Sequence, residues 1–202
     1  MATPCVKRRV LWLGCLCLLA LWGCARTPPT HYYTLNPLPA AERGAPQAPG
    51  AQAPAILVGP IRFPAYLDTT GIVTRNSDSA VEVAQSNLWA GALADAFPRV
   101  LAENLSILLA TDLVSVYPQL PHQPADYQVV GEVVRFDGSL AGQVSLVIRW
   151  TLARERKSVA TRESRISVPV GAAGYAGLAT AQSQAIAQLS RDIAAAIKEQ
   201  LR

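Results

Sequence analysis

The chain has 202 residues, 50% hydrophobic and 16% charged, which is enough apolar surface for one packed core and seldom for two. Its formal charge of +4 falls to +1 once residues 1–23 are set aside, because they hold three of the 18 basic residues and none of the 14 acidic ones. With no basic stripe interleaved with aromatic residues, this near-neutral balance argues against a nucleic-acid-binding protein.

The N-terminus has the order of a signal peptide. Basic residues at positions 7–9 precede an apolar stretch from Val10 to Leu21, and the small-residue step Gly23-Cys24 follows it. These twelve apolar-rich residues span about 18 Å as a helix, whereas a bilayer core needs roughly 20 residues. Residues 1–23 are therefore predicted to be a signal peptide and not a lasting membrane span.

The end of this segment, Leu21-Trp22-Gly23-Cys24, resembles the lipobox of bacterial lipoproteins. In that pattern the signal is cut before the cysteine, which then carries the lipid. Trp22 departs from the pattern, because a small residue is usual there. Cys15 is a competing site, but it leaves only about half of the apolar stretch. An ordinary cleaved signal or an uncleaved anchor are the alternatives to lipidation of Cys24.

The cysteines agree with this prediction. All four lie at or before the proposed cut, at Cys5, Cys15, Cys17 and Cys24. The mature chain then keeps one cysteine, so we expect no internal disulfide, no cysteine-based metal site and no cysteine nucleophile. Acylation also removes a free thiol that is a liability in an oxidising compartment.

The mature chain is predicted to have two parts. Residues 24–30 are expected to form an extended, lipidated tether about 20 Å long, and residues 31–202 the domain. Residues 31–35 favour a first strand, with a mere continuation of the tether as the alternative. The Pro- and Ala-rich residues 36–55 have no large apolar residue except Leu38, so they are predicted to be a loop or linker.

The domain is predicted to be α+β, an antiparallel sheet packed by two main helices. Strands are expected at Ile56–Val58 (closed by Pro60 and Pro64), Val81–Val83, Leu113–Tyr117, Tyr127–Phe136, Val144–Leu152 and Ile166–Val170. The clearest alternation lies in residues 144–152, which favours one buried and one largely wet face. Asp137-Gly138-Ser139 is typical of a turn and is predicted to form one before that strand. Pro169 predicts that the last strand lies at an edge of the sheet or ends there.

The two predicted helices each have an apolar face. The first runs from Asn87 to Ala110 and contains Pro98, which predicts a kink or a break into two helices. In it, Trp89 is expected in the core. The second helix, from Leu178 to Ile197, is expected to cover the sheet. A membrane-surface helix is the alternative, disfavoured by the lack of Trp and Phe on its apolar face.

Several motifs together resemble one family, the PqiC/YmbA lipoproteins, also called ABC-type transport auxiliary lipoproteins. The resemblance covers nearly the whole mature chain, and its most specific part combines Pro64-Ala65-Tyr66-Leu67-Asp68, Ile72-Val73-Thr74-Arg75 and Trp89-Ala90. Further matching segments are Tyr32–Leu35, Val58–Ile61, Arg99–Leu101, Asn104-Leu105, Tyr127–Gly138 and Leu146–Leu152. Pro98 and the insertion before Ala55 depart from the family pattern.

The resemblance implies an accessory without chemistry of its own. It implies a periplasm-facing lipoprotein that works with an MCE-domain protein and a membrane transporter, moving lipids across the Gram-negative envelope. Arg26, and not Asp, lies two residues after Cys24, which by the sorting of bacterial lipoproteins favours the outer membrane. Family members are also thought to assemble into homo-oligomeric rings.

The residues themselves give no catalytic constellation. The two histidines, His31 and His122, lie in terminal or loop-like settings and form no zinc-binding pair. Residues 138–142 do not match G-x-S-x-G, because Ser139 directly follows the first glycine. We therefore expect no enzyme activity, metal or cofactor beyond the lipid on Cys24. A structural or assembly lipoprotein unrelated to transport is the main alternative function.

The residues most suited to a partner lie in a loop-rich stretch. Tyr66, Leu67, Asp68 and Arg75 fall between strand candidates, where side chains are free to meet another protein. The alternative is local structure, with Asp68 capping or bridging and Tyr66 packing. An enzyme acting on envelope lipids or glycans is a third hypothesis, which a loss of activity on replacing Asp68 or Ser139 would support.

Overall fold

A computed structural model of the chain describes residues 28–44, 53–118 and 124–201. The predicted signal peptide, Cys24, residues 45–52 of the predicted loop and His122 lie outside these ranges. The α+β class with two main helices is confirmed, on one eight-stranded sheet. The elements are β1 (His31–Tyr33), β2 (Ile56–Arg62), β3 (Gly71–Arg75), β4 (Val81–Trp89), α1 (Leu93–Leu109), β5 (Val114–Val116), β6 (Tyr127–Gly138), β7 (Gln143–Arg154), β8 (Lys157–Pro169) and α2 (Tyr175–Gln200).

The sheet is mixed, with β6 at its centre. Antiparallel β7 pairs along the whole length of β6, and β8 pairs with β7 in the same sense. On the other side of β6, parallel β2 occupies the first half and parallel β3 meets it at Gly138. The sheet continues from β2 to β5 and from β3 through β4 to β1. The antiparallel arrangement predicted from sequence therefore holds for β6–β8 and β3–β4 only.

The alternation predicted for residues 144–152 is confirmed in β7. Its five inward side chains are at most 1% exposed, and they are Val144, Leu146, Ile148, Trp150 and Leu152. Ile166 and Val168 of β8 continue the same buried layer, and β8 ends at Pro169. Ser145, Val147 and Arg149 point the opposite way. We call the two sides of the sheet the inner face and the outer face.

Both α-helices pack on the inner face. The apolar side of α2 is buried over its whole length, including Leu178, Ile186, Ile193 and Ile197, which fits core packing and not a membrane surface. Phe97 of α1 contacts the inward Phe136 of β6 edge-on, with ring centroids 5.4 Å apart. No α-helix in the described ranges is long and apolar enough to cross a membrane.

The first helix starts later than predicted. Residues 87–89 are not helical but close β4, because they pair with β1, and the amide of Trp89 donates to the carbonyl of Thr70. Trp89 is 5% exposed, so its predicted place in the core is confirmed. The helix begins at Leu93 and runs through Pro98 as one element, so the predicted alternative of two broken helices is wrong.

Two further predictions about strands are corrected. Pro60 does not end β2, which continues to Arg62, because Pro60 lies where the register with β6 shifts and no ladder hydrogen bond is lost. Residues 71–75, expected within a loop-rich stretch, form β3 by pairing with β4. Pairing with β6, about 70 positions further along the chain, decides the first case, and pairing with the neighbouring β4 decides the second.

Residues 36–44, the described part of the predicted loop, pack on the helices and do not form a detached linker. Leu38 is 7% exposed, and its amide donates to Oδ1 of the buried Asn104 at 2.7 Å. The amide of Asn36 donates to Oγ of Ser183 at 3.0 Å. These contacts join the segment after β1 to both α1 and α2. A single buried leucine and two side-chain acceptors thus order residues that composition alone assigned to a linker.

Candidate functional site

The four residues predicted to bind a partner lie in three different settings: the core, the exposed surface and a buried hydrogen-bond cluster. Tyr66 and Leu67 lie in one turn of 3-10 helix, Ala65–Leu67, that follows Pro64. Leu67 is 4% exposed and belongs to the core, and Asp68 is exposed at the end of the turn. Tyr66 and Arg75 come together, because both donate to the carboxylate of Asp137.

Asp137 accepts four hydrogen bonds and is fully buried. Arg75 binds it in a bidentate manner, with Nε donating to Oδ1 and Nη2 to Oδ2, each at 2.8 Å. Arg135 donates from Nε to Oδ1 at 2.9 Å, and the Tyr66 hydroxyl donates to Oδ2 at 2.7 Å. We call these four residues the Asp137 cluster. Charge-assisted bonds of this kind are about twice as strong as neutral ones, so the cluster is a fixed arrangement.

A bulge in β6 places the cluster on the outer face. The register with β7 shifts between Val133, which pairs with Ile148, and Arg135, which pairs with Val147. The extra residue, Val134, reverses the alternation, so that Arg135 and Asp137 point outward while Phe136 enters the core. Asp137 and Gly138 therefore belong to β6, and the turn that sequence assigned to them begins at Ser139.

Arg75 also joins the cluster to the loop after β3. Its third nitrogen, Nη1, donates to the carbonyl of Asp78 at 3.0 Å, and its guanidinium lies over the Tyr66 ring, 5.9 Å from the centroid. One arginine thus holds a strand of the sheet, the 3-10 turn and the loop that leads to β4 in one geometry.

The electrostatics of the cluster favour the ionised carboxylate. Burial alone would raise the pKa of Asp137, but the hydrogen bonds from Arg75, Tyr66 and Arg135 outweigh it and hold that pKa below its usual value. Burial and the bond to Asp137 raise the pKa of Tyr66 to about 12. The cluster therefore holds two guanidinium groups, one carboxylate and a neutral phenol, a formal charge of +1.

The other residues weighed from sequence are placed as follows. His31 is exposed in β1, Ser139 lies in the β6–β7 turn, and Arg149 pairs with Glu163 at 3.0 Å on the outer face. In the described ranges, no group of three or more His, Cys, Asp or Glu side chains is placed to hold a metal. The residues that the sequence missed are Asp137 and Arg135, and the signal present was their spacing of two within β6.

Replacing Tyr66 with phenylalanine tests the hydrogen bond at the edge of the cluster. The variant keeps the ring but removes one of four donors to a buried carboxylate, so we expect a loss of about 1.5 kcal/mol in the free energy of unfolding. Thermal unfolding at neutral pH, followed by circular dichroism, measures it. An unchanged midpoint would show that water replaces the hydroxyl without cost and that Tyr66 does not support Asp137.

One family model matches most of the chain, and solved structures share its fold. The model of a family described as "ABC-type transport auxiliary lipoprotein component" matches residues 33–194. A crystal structure of an uncharacterized protein shares 25% sequence identity with the chain at a TM-score of 0.68, and the match covers 84% of this chain and 99% of that one. Protein XCC0632 from Xanthomonas campestris has the same TM-score at 18% identity, with 85% and 97% covered. No curated protein matches the sequence significantly.

Proposed function

The chain belongs to the family of ABC-type transport auxiliary lipoprotein components, and from this premise we propose that it is a non-catalytic accessory of an MCE-type lipid transport system in the Gram-negative envelope. The observation that carries the proposal is the family match over residues 33–194, nearly the whole predicted domain. Members of the family are described as lipoprotein components of an ABC-type transport system. The lipid cargo and the MCE partner are what our proposal adds.

The anchor in this proposal is the lipid on Cys24, in the outer membrane and facing the periplasm. His31 lies seven positions after Cys24, which corresponds to about 22 Å in an extended proline-rich conformation. The edge of the sheet formed by β1 therefore stays within that distance of the membrane surface. The segment that follows β1 is in turn bound to both helices, because the amides of Asn36 and Leu38 donate to Ser183 and Asn104.

The partners in this proposal are an MCE-domain protein and a membrane transporter. A short tether keeps the domain at the membrane at a high effective concentration, so contacts that are weak for free proteins suffice to hold a complex together. Assembly of the chain into a homo-oligomeric ring is part of the proposal, and it rests on the family resemblance alone.

Deletion of the gene tests the proposed function. We expect a deletion strain to become more sensitive to detergents and large antibiotics, because lipid supply to its outer membrane is disturbed. The wild-type gene is expected to restore resistance, as is a Cys17→Ala variant altered within the signal peptide, whereas Cys24→Ala is not. A deletion strain as resistant as its parent, in a genome where no MCE protein or permease gene lies nearby, would favour a structural lipoprotein instead.

A further inference from the structure

We propose that the outer face around Arg135 binds an acidic segment of the partner protein, with the terminal nitrogens of Arg135 holding a carboxylate. The identity of the partner rests on the proposed function, whereas the acidic chemistry rests on the structure of this face. Three observations carry it: a guanidinium of Arg135 whose terminal nitrogens have no partner among the described residues, the positive charge that Arg135 adds to the outer face, and exposed valines beside the cluster.

Among the described residues, Arg135 is held in place by one of its three nitrogens. Nε donates to Asp137, while Nη1 and Nη2 donate to no group in the described ranges, and the side chain is 38% exposed. A guanidinium is planar and never deprotonated, so fixing Nε also fixes where the two terminal nitrogens point. A carboxylate that binds end-on to them finds a preorganised donor pair, and little side-chain entropy is lost on binding.

The charge of Arg135 is not neutralised within the cluster. Asp137 carries one negative charge, and the bidentate Arg75 already balances it. By strand register and contact, the outward-pointing charged residues of β2, β3, β6, β7 and β8 are Arg62, Arg75, Arg135, Arg149 and Arg165 against Glu132, Asp137 and Glu163. On these strands five positive and three negative groups leave +2, and the flanking turn and loop add Asp68 and Asp78 beside Tyr66 and Arg75. The charge of Arg135 itself therefore has no carboxylate of its own among the described residues, and it matches a carboxylate on a partner.

Exposed apolar side chains flank the cluster on the same face. Val134, the extra residue of the bulge, is 42% exposed next to Arg135. Val81 and Val83 of β4 are 39% and 46% exposed, and Val81 lies opposite Arg75 in the β3–β4 pair. An arginine anchor beside apolar contacts is typical of the centre of a protein interface. The valines therefore favour a protein segment over a free anion.

Binding of a fluorescent decaglutamate peptide to the full-length lipoprotein in a neutral detergent tests the proposal. We expect salt-sensitive binding that Arg135→Gln weakens about tenfold. Because Arg135→Gln also removes a bond to Asp137, Val134→Asp is the second variant. It leaves the cluster intact and is expected to weaken binding by charge repulsion. The matched control is Arg43→Gln, an exposed arginine paired with Asp112 away from this face, with an expected change below twofold.

Three results would overturn the proposal. The first is no binding by wild type, or a change below twofold for both Arg135→Gln and Val134→Asp. The second is an equal loss in Arg43→Gln. The third is displacement of the peptide by dihexanoyl-phosphatidylglycerol below its micellar concentration, which would make this face a lipid-headgroup site. The assay contains no transporter component, so its failure leaves the transport role standing. Failure of the deletion experiment leaves the peptide result unchanged.

Discussion

Replacing Asp137 with alanine is expected to lower the free energy of unfolding by about 3 kcal/mol, the lower end of the range for breaking a buried ion pair. The variant leaves Arg75 and Arg135, 17% and 38% exposed, facing each other without the carboxylate between them. The lower end applies because Arg135 keeps contact with water. For a domain of this size the loss corresponds to a fall of roughly 6–12 °C in Tm, which circular dichroism measures on the full chain in detergent.

Two controls separate charge from packing at this position. Asp137→Asn keeps the shape but not the charge, so it is also expected to lower Tm by several degrees, and an Asn variant as stable as wild type would contradict the ion-pair account. Glu163→Asn removes an exposed carboxylate that pairs with Arg149 and Arg165. It is expected to leave Tm unchanged, because solvent screens such pairs.

The pH dependence of stability gives the same cluster an independent signature. The pKa of Asp137 in the folded chain lies below its ordinary value of about 3.9. Its contribution to stability is therefore fully present above that ordinary value, and it is lost as pH falls through the lower pKa of the folded state. We expect the Tm of wild type to fall more steeply than that of Asp137→Asn below about pH 4. Parallel curves would contradict this linkage.

Replacing Cys24 with alanine is expected to abolish incorporation of a labelled fatty acid. The thioether and the acylated amine both depend on this cysteine, and each buried methylene of an acyl chain contributes about 0.8 kcal/mol to membrane binding. Because cleavage of a lipoprotein signal is coupled to acylation, the variant is also expected to migrate as the longer precursor. Metabolic labelling followed by electrophoresis measures both effects.

Cys15→Ala and Cys17→Ala are the matched controls for this labelling. Both change a cysteine within the predicted signal peptide, so both are expected to label as wild type does. Loss of label in Cys15→Ala with normal label in Cys24→Ala would move the lipidation site to the competing cysteine. Equal labelling of Cys24→Ala and wild type would contradict lipidation of Cys24, and would indicate that Trp22, the departure from the lipobox, prevents the cut at this site.

The sequence predicts a secondary-structure element correctly where its pattern of apolar residues is sufficient without distant neighbours. In β7, five inward side chains follow a period of two that no neighbour disturbs, so the prediction and the structure agree. The segment 87–89 has apolar spacing that suits a helix equally well, but pairing with β1 decides in favour of a strand. Such pairing involves residues more than 50 positions away, which a local pattern does not contain.

The candidate site also depends on strand pairing that local sequence does not contain. From sequence, Tyr66 and Arg75 are candidate partner-binding residues in one loop-rich stretch, and the structure brings both onto one carboxylate. The sequence predicts a turn at Asp137, because Asp-Gly-Ser is a common turn sequence. The structure instead keeps Asp137 in β6, and the bulge at Val134 turns its side chain to the outer face. The position of the bulge depends on how β6 pairs with β7, so neither the burial of Asp137 nor the exposure of Arg135 is visible in the order of residues.

Purification of a tagged MCE-domain protein from membranes of the same organism, after mild crosslinking, tests whether the chain is an accessory of MCE-type lipid transport. The lipoprotein is quantified in the purified material against an outer-membrane lipoprotein of similar abundance. We expect the chain and a membrane transporter both to be enriched well above that control. Recovery of the chain at the control level, with the transporter enriched, would contradict its role as an accessory of MCE-type lipid transport.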